Sequence, residues 1–160
     1  MIVVSDTSVL CYLVLINQIH LLEHLYGQIV IPTVVRDELL HPSAPSAVGV
    51  WASNFPLWVS VRETQSQPDE ALAVLDQGEQ SAILLAEELQ AELILMDERR
   101  GRQLARSRGL RVTGLVGILD DAARAGLINL PEVLASLQTT SFWVSPRILQ
   151  ALLEKYECDR

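Results

Sequence analysis

Five short apolar runs, most of them followed at once by a helix signal, limit how this chain can fold. Residues 2–5, 28–31, 57–61, 92–96 and 111–113 are each too short for a buried helix, yet rich enough in Val, Ile and Leu for a strand. Between them the apolar spacing turns helical. A helix is expected over residues 9–16, begun by the cap-competent Asp6-Thr7-Ser8, and a short one over 21–25, stopped by Gly27. Another starts at Pro32 and carries Glu38, and a further one lies around 48–54. Residues 68–75 and 78–89 read as two helices joined by Asp76 and Gln77. Helices over 99–108, 115–125 and 131–137 follow, and residues 146–156 form an amphipathic last helix with Ile148, Leu149, Leu152 and Leu153 on one face. Strands alternating with helices require right-handed crossovers, so the fold class is α/β: a parallel sheet flanked by helices on both faces, in one domain over residues 1–160. In such folds the site lies beyond the carboxyl ends of the strands, near the point where strand order reverses. Asp6 and Asp97 both follow an apolar run directly.

Composition agrees with this class. Hydrophobic residues make up 49% of the 160, enough for a core without staples, and the 5% of aromatics suits helices over a parallel sheet. The two cysteines, Cys11 and Cys158, form neither a metal-type pair nor a secreted framework, and Asp6 interrupts the first apolar run before a signal segment could develop. No run reaches the length of a membrane span. A cytoplasmic protein without a membrane partner is expected. The net charge of -8 opposes phosphate binding at first sight. However, Arg99, Arg100, Arg102, Arg106, Arg108 and Arg111 are six of the twelve basic residues and fall in one short segment, a local basic patch.

Four acids can converge in this layout: Asp6 and Asp97 after strands, Glu38 late in a helix and Glu79 in the first turn of another. Hard divalent cations prefer such oxygen ligands. Two carboxylates about 4 Å apart repel by roughly 4 kcal/mol at an effective dielectric near 20, so a metal or a raised pKa must offset their crowding. Each acid taken singly also has a plain structural reading. Asp6 and Asp97 could cap the helices that follow them, Glu79 could answer a helix dipole, and Glu38 could be a solvated neighbour of Asp37.

The segments VVSDTSVL, IPTVVRDELL, LDQGEQSAILLA, LILMDERRGRQLARSRGL and VTGLVGIL, in this order over about residues 2–120, resemble the PIN-domain family, in particular its branch of small proteins akin to toxin ribonucleases. The resemblance implies a Rossmann-like sheet, Mg2+ or Mn2+ as cofactor, and hydrolysis of RNA phosphodiesters by metal-activated water. It assigns catalytic and metal-site roles to Asp6, Glu38, Glu79 and Asp97, extends metal contact to Glu98, and sets Thr7 or Ser8 beside the metal as a hydrogen-bonding neighbour; the substrate-contact candidates are Thr7, Ser8, Arg102 and Thr113. It also implies a toxin-antitoxin pair, with a cognate antitoxin as partner and a homodimer as the assembly. Two positions depart from the pattern: Glu98 stands where a second aspartate is common, and Leu115 where a hydroxyl residue is common.

Other chemistries are weaker. HLLEH at residues 20–24 matches the inverted zinc-protease signature, but Asn17 and Gly27 leave too short a helix for that mechanism. Receiver and phosphatase folds want a lysine inside the domain, whereas Lys155 in the tail is the sole lysine; the phosphatase also wants an aspartate where Ser8 stands. The main rival is a PIN-like module that binds RNA or protein without cutting. The arginines divide between ion pairs and phosphate contacts, with Arg102 the foremost candidate for a substrate contact. Trp51, Trp58 and Trp143 are candidates for core, interface or base stacking, and the amphipathic tail for packing on the body or on a second subunit.

Overall fold

The structure is a computed structural model that describes residues 1–158. Its strands are β1 (Val3–Ser5), β2 (Ile29–Pro32), β3 (Val59–Arg62), β4 (Leu93–Leu95) and β5 (Val112–Thr113). Its helices are α1 (Thr7–Leu15), α2 (Leu21–Tyr26), α3 (Thr33–Leu39), α4 (Ser46–Ala52), α5 (Gln77–Glu88), α6 (Arg99–Ser107), α7 (Leu115–Arg124), α8 (Leu130–Gln138) and α9 (Pro146–Cys158). The strands form one sheet in the order β3-β2-β1-β4-β5, and every pairing is parallel.

β1 occupies the centre because all three of its residues are buried, a demand met only by a strand covered on both faces. Side chains alternate across it: Val3 joins one hydrophobic cluster and Val4 the other. The same alternation sends Leu95 of β4 to the first cluster and Ile94 and Met96 to the second. The first cluster contains the buried faces of α1, α2, α3, α7 and α8, while the second is filled mainly by α5, with Ala105 of α6. The chain builds β2 and β3 outward on one side of β1 and then returns to place β4 on its other side, with Ser5 opposite Leu95. The reversal of strand order therefore lies between β1 and β4. Asp6 and Asp97 follow the carboxyl ends of these two strands.

The expected elements are present, with one change of kind. Residues 68–75 form only a 3-10 turn, Glu70–Val74, rather than an α-helix. Asp69 caps its start through the Leu72 amide at 3.2 Å, Leu75 is already extended, and Leu72 is the turn's one buried residue, so a single turn is all that packing anchors. Gly27 ends α2 with φ of +80°, a conformation that favours glycine. The tail packs on the parent fold. Leu149, Leu152, Leu153 and Tyr156 of α9 lie against the first cluster, and Lys155 Nζ meets Asp120 of α7 at 3.1 Å.

Arg108, just beyond α6, ties three segments together. Its guanidinium donates to Glu87 of α5 at 2.8 and 3.0 Å and to Asp69 at 2.8 Å. The bidentate geometry and partial burial make this ion pair stronger than a typical surface one. Replacing Arg108 with Gln is expected to cost about 1–2 kcal/mol, which thermal unfolding should register as a fall in Tm of roughly 2–8 °C.

Candidate active site

Six carboxylates reach the carboxyl end of the sheet, and five of them line one cavity. Asp6 is 2% exposed and caps α1 by accepting the Val9 amide at 3.3 Å. Its own amide donates to the Leu95 carbonyl at 3.1 Å, which fixes the end of β1 to the end of β4. Asp76 and Glu79 form a reciprocal capping box on α5: Asp76 accepts the Glu79 amide at 2.8 Å, and Glu79 accepts the Asp76 amide at 3.1 Å. Glu98 caps α6 through the Gly101 amide at 2.6 Å. Glu38 leaves the end of α3 and accepts the Thr7 hydroxyl. These side chains, with Ser8, line a cavity of about 540 Å³.

Asp97 stands at the edge of this group. Its Oδ1 accepts the Leu115 amide at 2.9 Å, while its buried Oδ2 has no hydrogen-bond partner among the described residues. It lines a neighbouring groove of about 710 Å³ together with Arg102 and Thr113. Of the residues named from sequence, Asp6, Thr7, Ser8, Glu38, Glu79 and Glu98 therefore share one cavity, and Asp97, Arg102 and Thr113 share the next. Leu115, which stands where the resemblance would put a hydroxyl residue, has a fully buried side chain and meets Asp97 through its backbone amide. Asp76 reads from sequence only as a joint between helices, although the Asp-x-x-Glu spacing from 76 to 79 is a capping-box signal that would have placed it here.

Two glycines let backbone approach these acids. A Cβ on Gly78 would collide with the Glu38 carboxylate, and one on Gly114 would lie 2.6 Å from Asp97 Oδ1. Neither approach could be found by motif spacing alone, because each joins residues distant in the chain.

Crowding and burial leave a clear electrostatic mark. Burial pushes the Asp6 carboxyl well above its ordinary value, opposed by the Val9 amide and reinforced by the charges of Asp97, Glu79 and Asp76. Glu79 is pushed up to about 7, first by burial, against the Asp76 amide and with the charges of Asp76 and Glu98. Burial also raises Asp97, while the Leu115 amide and the Arg102 guanidinium work against it. The Cys11 thiol, raised to about 11 by burial and then by Asp6 and Glu38, is a poor nucleophile at neutral pH.

The donor set suits a hard cation in kind: all oxygen, with Asp6 and Glu79 buried and one carboxylate oxygen of Asp97 unpartnered. Among the described residues, no three acidic, His or Cys side chains already stand in the arrangement of a finished metal cage. The carboxylates are instead engaged with helix-start amides and with Thr7. The HLLEH segment makes no second site. His20 and His24 are exposed and stacked edge to face at 5.9 Å, with His24 Nδ1 against the His20 carbonyl on the six-residue α2.

A central parallel sheet whose strand-order reversal is crowded with carboxylates defines an α/β protein of the acidic-site class. A family model described as a PIN domain matches residues 2–157, and the chain belongs to that family. A solved PilT N-terminus domain protein of the hyperthermophilic archaeon Sulfolobus solfataricus is similar in fold, with a TM-score of 0.51 and 19% identity over 91% of this chain and 100% of that one. No curated protein matches the chain. PIN domains are generally nucleases that use divalent metals. No helix among the described residues is long and apolar enough to cross a membrane.

The raised acids link stability to pH with a definite sign. A carboxyl whose folded pKa exceeds its unfolded value favours the protonated folded state, so the contribution is complete below the unfolded value and is lost as pH rises through the folded one. For Glu79 that window runs from 4.5 to about 7. Metal-free protein should therefore melt at progressively lower temperature across this window. Asp6→Asn keeps a good helix cap while removing the buried charge. It should melt at least about 3 °C above the parent near pH 8, the shift that roughly 1 kcal/mol produces in a chain of this size, with a smaller gain near pH 5.

Proposed function

We propose that the protein is a metal-dependent endoribonuclease that hydrolyses RNA phosphodiesters at the site formed by Asp6, Glu38, Glu79 and Asp97. The observation that carries this reading is Asp6 itself, a carboxyl at the strand-order reversal whose proton affinity is raised first by burial and then by the acids around it. Its fold alone would not require that crowding; a bound cation would relieve it.

Asp6, Glu38, Glu79 and Asp97 would hold Mg2+ or Mn2+, with Glu98 at the margin. When bound, the ion would lower the pKa of an attacking water and neutralise charge on the phosphodiester. The chain's own groups set the geometry. Thr7 orients Glu38, the Asp76 amide holds Glu79, and the Leu115 amide turns Asp97 so that one of its oxygens is left without a partner. Arg102, whose charge acts on Asp97 and which lines the adjoining groove, would meet a phosphate arriving beside that acid. Thr7 and Ser8 supply hydroxyls on the cavity wall, and Thr113 one in the adjoining groove. The family resemblance extends the proposal to a cytoplasmic toxin, restrained by a cognate antitoxin and acting as a homodimer.

One observation favours a second reading, a PIN-like module that binds RNA or protein without cutting: no ready-made metal cage exists among the described residues. Cleavage of a mixed RNA pool in magnesium, manganese, zinc or chelator separates the two. The nuclease reading expects cutting in magnesium or manganese that falls at least about 100-fold in Asp6→Asn and in Asp97→Asn, because losing a ligand weakens the hold on the ion that would activate water and stabilise developing charge. It also expects either ion to raise the parent's Tm and not that of the variants. No cutting by folded parent protein under any condition would overturn it in favour of the binding module.

Gly78→Ala gives a finer test of the geometry. Alanine in place of glycine improves local helix propensity by up to about 1 kcal/mol, offsetting the displaced Glu38 side chain. Tm should stay within about 3 °C of the parent while cleavage drops at least about tenfold, because a misplaced group of this kind is costly to catalysis.

A further inference from the structure

The groove beside the acid cavity is open, arginine-lined and bordered by an exposed tryptophan. Asp97 and Glu98 are adjacent in sequence yet face different cavities, Glu98 the acid cavity and Asp97 the groove. The opposite border repeats the division: Ser141 lines the acid cavity and Phe142 the groove. The two spaces therefore meet along a shared wall made by residues 97–98 and 141–142. Phe142 is anchored edge-on against Tyr12 with ring centroids 5.0 Å apart, and the Ser141 and Tyr12 hydroxyls lie 2.8 Å apart. This anchoring holds the next residue, Trp143, in the groove lining with 75% of its surface exposed.

On the other side, Arg99, Arg102 and Arg106 all line the groove from α6. The rise of a helix spaces the first and last of them by about 10 Å along its axis. Unlike Arg108, neither Arg99 nor Arg106 has an ion-pair partner among the described residues. In a chain of net charge -8, three guanidiniums face one groove beside a bare indole.

We propose that this groove holds the single-stranded RNA that continues away from the acid cavity, with Trp143 stacking on a base and Arg99 and Arg106 contacting phosphates. This assignment rests on the nuclease reading above for the identity of the polymer. A single strand offers both an aromatic face and an anionic backbone, and the groove presents a partner for each. An acidic peptide would engage the guanidiniums and leave the indole unused. Asp97, which borders the groove and is followed directly by Glu98 of the acid cavity, marks where the strand passes from one space to the other.

The test measures binding of a short labelled single-stranded RNA to full-length protein carrying Asp6→Asn, in magnesium, as salt is raised. Trp143→Ala should weaken binding by about tenfold, Trp143→Phe should restore most of it, and neither should alter the salt dependence. The double variant Arg99→Gln/Arg106→Gln should instead flatten the slope of log K against log salt by about 1.4, at about 0.7 for each phosphate no longer neutralised. Equal binding by all variants, or displacement of the RNA by polyglutamate with Trp143→Ala as sensitive as the parent, would overturn the groove assignment. Failure of the nuclease reading looks different: the stacking and salt effects persist while protein with Asp6 intact never cuts. Conversely, metal-dependent cutting with unchanged KM in Trp143→Ala and in Arg99→Gln/Arg106→Gln sinks the groove and spares the nuclease.

Discussion

The desolvated carboxylate of Asp6 is the constraint around which the site is organised. It sits at the end of the fully buried central strand, where water cannot screen it, with other acids close enough to raise its proton affinity further. Such a group is tolerated only if protonated, hydrogen-bonded or neutralised by a cation. The Val9 amide supplies a single hydrogen bond at 3.3 Å, a modest return for full burial. The rest of the core must be stable enough to carry this cost, and the two clusters on opposite faces of β1 provide that support.

Helix capping and acid clustering are not competing explanations in this molecule. Asp6, Asp76, Glu79 and Glu98 each bond an amide at or beside a helix start, and each also lines the acid cavity. The parallel sheet makes this double use natural. Helices that follow strands begin at the same end of the sheet, so their caps and their positive dipole ends converge there. The side chains that stop helices from fraying are thus the ones gathered into a common cavity.

Much of this was legible in the sequence because it depends on local pattern. Short apolar runs located β1, β2 and β4, and the position of Asp6 and Asp97 immediately after two of them placed both acids at the carboxyl end of the sheet. Glu79 was legible as a helix-start acid and Glu38 as an acid late in a helix, with the family resemblance joining both to Asp6 and Asp97. What escaped depends on the meeting of distant segments. The approach of Gly78 to Glu38 and of Gly114 to Asp97, and the anchoring of residues 141–143 on Tyr12, follow from tertiary packing that no periodicity records. The division of the acids between two cavities is of the same origin, since the direction of a side chain at a strand end is set by the loop that follows. The weak turn at Glu70–Val74 shows the converse, a helical pattern that tertiary packing shortens because only Leu72 is buried.

The hydrogen bond from the Asp6 amide to the Leu95 carbonyl divides the site into halves of unequal stiffness. Asp6 and Asp97 carry short side chains on residues that closely follow two paired strands, so the sheet sets the spacing of their backbones. Glu38 and Glu79 extend by longer side chains from helices, and a free glutamate loses up to about 2 kcal/mol of rotamer freedom when immobilised. Thr7 and the Asp76 amide already restrain those two carboxylates in the folded chain. Most of the disorder that ligand capture would otherwise have to remove is therefore lost earlier, during folding, so order on the helical side of the site is a by-product of completing α1 and α5.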